Sequence, residues 1–368
     1  DVKVLLAEKQ IAIYIVYMKY RYLGKSGLLV SRACLGTMTF GATPWGCDEA
    51  EARKIILRYV ETGGNFIDTA DVYAGGASET IIGKVLPELS RDEVILATKC
   101  YFPMGQKPNS HGWSRKHVVT SCEGSLRRLK TDYIDIFYLH GPDPLVPMEE
   151  VLETLDILVR QGKILYTACS NLFGWQIARA MEIARYRGLP GFVCGQYLYN
   201  LIHRDAEAEV IPAMVEYGVG VLSWSPLGGG LLTGKYKGMR EPPKGSRLEH
   251  RMKVDGPRFW HERGFRTAEW LESVSKESGI PMAKLALAWP LTRKFLSSVI
   301  IGVRTLAQLE ENLEAADWDM PEDIRTRLDE LSAPEKDYLW WFNGTNYKRF
   351  EDAAEHLFPG TGGGIGIL

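Results

Sequence analysis

Short apolar runs alternate with longer amphipathic stretches along the chain, and their periods are those of strand and helix. Eight runs read as strands: Ala33–Thr37, Asn65–Asp68, Val94–Thr98, Asp135–Leu139, Ile164–Cys169, Phe192–Gln196, Gly220–Ser223 and Ser298–Ile301. Between them the apolar residues keep to one helical face. Val151, Leu152, Leu155, Leu158 and Val159 do so over 149–160, and Val118, Val119, Cys122, Leu126 and Leu129 over 115–129. Gly63-Gly64 and Gly162 are expected to close helices and Ser78 to cap one. Strict strand–helix alternation implies a parallel sheet with right-handed crossovers. Eight repeats in roughly 270 residues fit a closed (β/α)8 TIM barrel better than the rival, an open doubly wound sheet.

Four segments depart from the repeat. Residues 20–30, with Lys25-Ser26-Gly27 as the turn, read as an N-terminal β-hairpin ahead of the first barrel strand. Residues 226–262, rich in Gly, Pro, Lys and Arg, read as a long loop after strand seven, and loops of that length are usually functional. Residues 1–18 are expected to be an N-terminal extension before a natural start at Met18, a non-native origin being one reading. The barrel domain is expected over 19–333. The tail, 334–368, carries Tyr338-Leu339-Trp340-Trp341-Phe342 and is expected to cover a substrate mouth or a subunit contact.

With 368 residues, 45% hydrophobic, the chain can bury one large core. A formal net charge of −2 gives no global field to draw nucleic acid or an anionic membrane, and Arg127-Arg128 reads as a solvated helix face. The six cysteines form no CxxC pair and read as small hydrophobes in a reducing cytosol. Seven histidines without an HExxH string suggest no metal site. Ile11 to Met18 is shorter than the roughly 20 residues that span a bilayer. A soluble cytoplasmic protein without membrane insertion or nucleic-acid partner is expected.

Neither common nucleotide fingerprint is present. Gly229 to Gly234-Lys235 has phosphate-loop spacing, but Tyr236 stands where a metal-binding hydroxyl should follow. Gly24-Lys25-Ser26 lacks the first glycine, since Lys19 occupies it. Gly218-Val219-Gly220 precedes its strand, whereas a dinucleotide fingerprint follows one.

In such a barrel, chemistry gathers at the C-terminal strand ends. Asp68, Lys99 and His140 each directly follow an apolar strand run, and Tyr73 lies five residues after Asp68. Ionisable groups so placed are costly to bury without partners. Together they make sense. A phenol with an ordinary pKa near ~10 is a weak acid; an adjacent ammonium lowers that value, and an aspartate keeps the ammonium charged. His140 can donate to a carbonyl oxygen. The set can protonate an oxygen as its carbon is reduced, without a metal.

Asp68-Thr69-Ala70-x-x-Tyr73, Thr98-Lys99 and Leu139-His140 resemble the catalytic strings of the aldo-keto reductase superfamily, over residues 20–332. Tyr22 to Leu28, Ser114-Arg115-Lys116-His117, Pro142-Asp143-Pro144 and Pro147-Met148-Glu149-Glu150 resemble its branch of potassium-channel β-subunits and related bacterial reductases. The resemblance implies Tyr73 as general acid, Lys99 and Asp68 as the pair that sets its pKa, and His140 as a substrate-orienting donor. It also implies an NADP site. Ser170, Asn171 and Gln196 would hold the carboxamide and Trp224 the ring, with Thr37, Met38 and Asp68 nearby. Ser225, Pro226, Leu227 and Gly229 through Lys235 would strap the pyrophosphate. Gly302, Gln308, Glu311 and Asn312 would lie at the adenosine end. Lys235, Arg247 and Arg304 would meet a 2′-phosphate, which favours NADP over NAD.

In channel β-subunits the position of His140 is asparagine, so the histidine argues for retained catalysis. The function expected is reduction of aldehydes or ketones, with a small carbonyl compound as substrate. A nicotinamide-binding, channel-associated subunit with little turnover is the alternative, and a non-catalytic barrel a third. Related barrels occur as monomers and as several closed oligomers, so a homo-oligomer is among the expected arrangements. Met38, Tyr101, Phe102 and Trp113 are expected as apolar pocket walls.

Overall fold

The computed structural model describes residues 18–334 except 240, together with 338, 352 and 353. A two-stranded antiparallel hairpin, β1 (Tyr20–Tyr22) and β2 (Leu29–Ser31), precedes a closed parallel barrel. The barrel strands are β3 (Ala33–Gly36), β4 (Phe66–Asp68), β5 (Ile95–Cys100), β6 (Ile134–Leu139), β7 (Ile164–Ser170), β8 (Phe192–Leu198), β9 (Gly220–Trp224) and β10 (Leu296–Gly302). Each pairs with its neighbours in sequence, and β10 closes on β3, so the fold is a (β/α)8 barrel. All eight strands fall on the eight runs anticipated from the apolar pattern.

The strands' period of two sorts their side chains onto two faces. Cys34, Phe66, Ala97, Ile136, Tyr138, Ala168, Cys194, Leu222 and Ile300 form one buried cluster inside the barrel. Their neighbours Leu35, Ile67, Leu96, Phe137, Leu139, Cys169, Val221 and Ile301 belong to the outer cluster, under the helices. The hairpin plugs the N-terminal end, where Leu23 and Val30 join the inner cluster. Gly24 makes this possible: its φ is +57°, and a Cβ there would lie 2.5 Å from Gly220 N.

The surrounding helices include α1 (Glu49–Glu61), α2 (Ala77–Val85), α3 (Arg115–Leu129), α4 (Met148–Arg160), α5 (Gly174–Arg187) and α6 (Val210–Glu216). After β9 come α7 (Arg247–His250), α8 (Met252–Phe259), α9 (Glu262–Ser278) and α10 (Met282–Leu291), and after β10 come α11 (Leu306–Asp317) and α12 (Glu322–Leu331). In α4 the anticipated stripe is real, with Val151, Leu152, Leu155 and Leu158 fully buried. The six cysteines are buried and free.

Three expectations need correction. Ser78 is not a cap: α2 begins behind Gly76, whose φ of 95° makes the entry from backbone alone, and the Ser78 hydroxyl instead donates to Thr37 O at 2.9 Å. Of Arg127-Arg128, Arg127 is exposed as anticipated, but Arg128 is partly buried, and its Nε donates to the fully buried Glu79 carboxylate at 2.6 Å. The segment after β9 is not an open loop. It folds as a 3-10 turn, Gly228–Thr233, followed by α7 and α8. Ser246 caps α7 by accepting from Glu249 N, and Asp255 in α8 accepts from Arg247 and Arg251. Residues 1–17 lie outside the described residues, as does the aromatic run of the tail apart from Tyr338.

Candidate active site

One register position organises the site. Advancing two residues from each inner-cluster residue towards the C-terminal mouth gives Asp68 after Phe66, Lys99 after Ala97, His140 after Tyr138 and Ser170 after Ala168. The same step gives Gln196 after Cys194, Trp224 after Leu222 and Gly302 after Ile300. The pleat that buries an apolar residue in one layer therefore aims the next inward residue at the mouth. Tyr73 reaches this layer by another route. The loop after β4 keeps bonding to β5, with Thr69 N to Ala97 O at 2.8 Å and Asp71 N to Lys99 O at 3.2 Å. It is thereby led past Lys99 before turning into α2.

Lys99 is fully buried, and its Nζ donates to Asp68 Oδ1 at 2.5 Å, Thr69 O at 2.7 Å and Tyr73 Oη at 3.3 Å. Its three protons are all engaged. Gln196 Nε2 donates to the other Asp68 oxygen at 2.8 Å, so the buried carboxylate is satisfied on both sides. The His140 ring meets the Tyr73 ring edge-on, with centroids 5.9 Å apart. Thus the four ionisable residues anticipated in sequence converge on one patch.

Burial alone would lower the lysine, but Asp68 and Tyr73 outweigh it and hold Lys99 above its ordinary pKa, as an ammonium. For Tyr73 the balance differs from the sequence expectation. Lys99 does pull the phenol down, yet burial wins and raises it. The phenol is therefore held protonated, ready to give a proton. His140 is held well below its ordinary value by burial and then by Lys99, and so is neutral. Its Nδ1 is buried with no partner among the described residues.

Tyr73 and His140 face a cleft of about 970 Å³. The residues that the sequence assigned to a cofactor, from Thr37 to Asn312, line it, while Lys99 lies beneath the floor. The exceptions fall within the strap Gly229 to Lys235, where Gly234 does not line it and the Leu231 and Leu232 side chains turn into the core. Thr37 Oγ1 donates to Asp68 O at 2.9 Å. Asn171, at φ 60°, donates to His140 O at 3.1 Å and to Ser170 Oγ at 2.9 Å. Of the expected apolar walls, Met38 and Phe102 line the cleft; Tyr101 packs against Phe102, and Trp113 is buried in the core.

At the other end Lys235, Arg247 and Arg304 gather. Burial, then Arg304 and Arg247, lower the Lys235 pKa, and among the described residues neither Lys235 nor Arg304 is paired with a carboxylate. Unmatched cations in a half-buried cluster suit an anion. Gly302 lines the same wall, and a Cβ there would meet no atom within 4 Å, so the missing side chain leaves open cleft.

The sequence pattern of the aldo/keto reductase family matches residues 32–333. The chain belongs to the aldo/keto reductase family. Family membership supports oxidoreductase activity with a nicotinamide cofactor. Among curated relatives, an uncharacterised oxidoreductase of Bacillus subtilis is 37% identical over 329 residues, 85% of this chain and 96% of that protein. A probable voltage-gated potassium channel subunit beta of Oryza sativa is 36% identical over 82% of this chain and 92% of its own length. An aldo-keto reductase of Fusarium vanettenii is 34% identical over 86% and 91%. This aldo/keto reductase therefore resembles both oxidoreductases and channel subunits by name, as the strings at 22–28, 114–117, 142–144 and 147–150 suggested.

Some residues of the site went unnoticed in sequence. Asn200, fully buried, donates to Ser225 O at 2.8 Å and so fixes the turn after β9, where Ser225 has φ 53°; nothing in the sequence marks it. Trp45 lies against Arg247 and Arg251, which stand 5.8 and 5.4 Å from its ring centre. Asp255 binds Arg251 and Arg258, four before and three after it, a helical spacing that could have been read.

Proposed function

We propose that this chain is an NADP-dependent reductase of aldehydes or ketones in which Tyr73 is the general acid. The observation that carries the reading is Tyr73 Oη, 3.3 Å from an ammonium whose charge Asp68 secures, on a cleft with unpaired cations at its far end. Bound NADPH would supply hydride, its ring resting on Trp224 and its carboxamide on Ser170, Asn171 and Gln196. Lys235, Arg247 and Arg304 would take the 2′-phosphate, and Gln308, Glu311 and Asn312 the adenosine.

The chain's own part is to hold the carbonyl and supply the proton. Neutral His140 donates one N–H to the carbonyl oxygen, and Tyr73 gives that oxygen its proton as negative charge develops. The phenolate left behind is stabilised by Lys99, whose charge is fixed in advance by Asp68. Incubation of the purified protein with NADPH and a panel of aldehydes and ketones should deplete the reduced-nicotinamide absorbance, faster than with NADH. The names of the channel-subunit relatives support a second reading, a cofactor-dependent regulatory subunit. Tight NADPH binding with no turnover on any carbonyl would favour it and overturn the first.

A further inference from the structure

Three arginines share one carboxylate on the helices that cover the cleft. Asp255 is fully buried, and its Oδ2 accepts from Arg247 Nε at 3.1 Å and Arg251 Nε at 3.0 Å. Arg258 has the weaker hold, Nη1 to Oδ1 at 3.3 Å, and its side chain is 40% exposed. Most of its donors are therefore not engaged by Asp255.

Arg258 is nonetheless held in place. Its backbone carbonyl accepts from two imidazoles, His203 Nε2 at 2.5 Å and His261 Nε2 at 2.9 Å. Its guanidinium lies 5.2 Å from the ring centre of Trp224, a residue of the same inward layer as Asp68, Lys99 and His140. Arg258 lines the cleft, and so does Val254, one helical turn earlier on the same face of α8. Met38 and Phe102 give the same cleft apolar walls, and the Phe102 ring stands 4.9 Å from that of His140. Lys235 feels Arg304 and Arg247 but not Arg258, and only Arg247, through the shared Asp255 carboxylate, links those cations to Arg258.

We propose that Arg258 binds a carboxylate carried by the carbonyl substrate, so that the cleft is built for aldehydes or ketones with an apolar body and an acid group. This rests on the reductase reading above and adds its substrate class. A planar guanidinium held over indole and tethered by one corner can offer a carboxylate two parallel N–H bonds, which a neutral substrate cannot use. The same donors would suit a cofactor phosphate, so the test separates the two sources.

The probes are 4-carboxybenzaldehyde and benzaldehyde, with Arg258→Met to remove the charge and Arg258→Lys to keep it without the fork. The native protein should favour the acid by kcat/KM. Arg258→Met should lose about 10- to 100-fold more on the acid than on benzaldehyde. The loss should fall in KM, with Arg258→Lys in between and the NADPH Kd not following. No preference in the native protein, or equal losses on both aldehydes with a weakened NADPH Kd, overturns the proposal. If neither aldehyde is turned over, the reductase reading is the one in difficulty, and benzoate titrated into NADP⁺-loaded protein still judges Arg258. Binding lost in Arg258→Met supports the proposal, and equal binding by both proteins overturns it.

Discussion

The floor of the cleft and its rim solve opposite problems with the same kinds of charge. On the floor, Lys99 and Asp68 are buried and matched one to one, and Gln196, Thr69 and Tyr73 occupy the remaining donors and acceptors. On the rim, Lys235 and Arg304 stand without carboxylates among the described residues, and three arginines divide the single carboxylate of Asp255. A matched, buried pair fixes one geometry and one protonation state. An unmatched, half-exposed cluster leaves attraction over for something that comes and goes. On the function proposed above, the floor would serve proton transfer and the rim would hold anions.

The difference is sharpest under deletion. Lys99→Met leaves Asp68 buried without its cation, which should cost roughly 3–5 kcal/mol of stability as well as turnover; urea unfolding reads the first. Replacing both, as Lys99→Met with Asp68→Asn, should restore part of that stability while activity stays lost. An unchanged urea midpoint in the single variant would remove the distinction between floor and rim. Lys235→Met should do the reverse: fold as the native protein does, and weaken NADPH binding by about tenfold or more. Titration at rising salt should shrink the difference, because the rim is open to solvent. A Kd that stays the same would detach Lys235 from the cofactor.

Smaller effects separate two buried titrating groups by sign. His140 has a folded pKa far below the value near ~6.5 expected for an unfolded chain. The unfolded state then binds the extra proton, so stability is lost as pH falls below about 6.5, and His140→Asn should flatten that slope. Asp71 runs the other way. Burial pushes its carboxyl up to about 7, with Ser121 as its hydrogen-bond donor. The folded state retains a proton that the unfolded chain gives up, so stability is lost as pH rises from about 4 to about 7. Asp71→Asn should raise Tm at pH 8 and leave it nearly unchanged at pH 4, as calorimetry at the two pH values would show.

The floor was legible in sequence and the rim only partly so, for a physical reason. Asp68, Lys99 and His140 close apolar runs, where an ionisable group is conspicuous, and the period of two then dictates which residues face inward. Tyr73 was reachable because its loop is short. What the sequence lacked was the balance between burial and Lys99 at the phenol, which depends on packing. On the rim the residues sit in a Gly-, Pro- and Arg-rich segment whose composition suggests loop, and the pattern that makes it helical is polar: Ser246 as cap, and Asp255 spaced to reach three arginines. Asn200 left no trace, because a buried amide holding one backbone oxygen has no sequence period at all.

The central claim is that the Tyr73 hydroxyl is the proton source. Tyr73→Phe removes that oxygen and little else, so single-turnover reduction of a carbonyl should be followed at the reduced-nicotinamide band, with NADPH fluorescence binding measured on the same sample. The account predicts native cofactor affinity and a reduction rate lower by about 10²- to 10⁴-fold. A phenylalanine variant that reduces carbonyls at the native rate would contradict it.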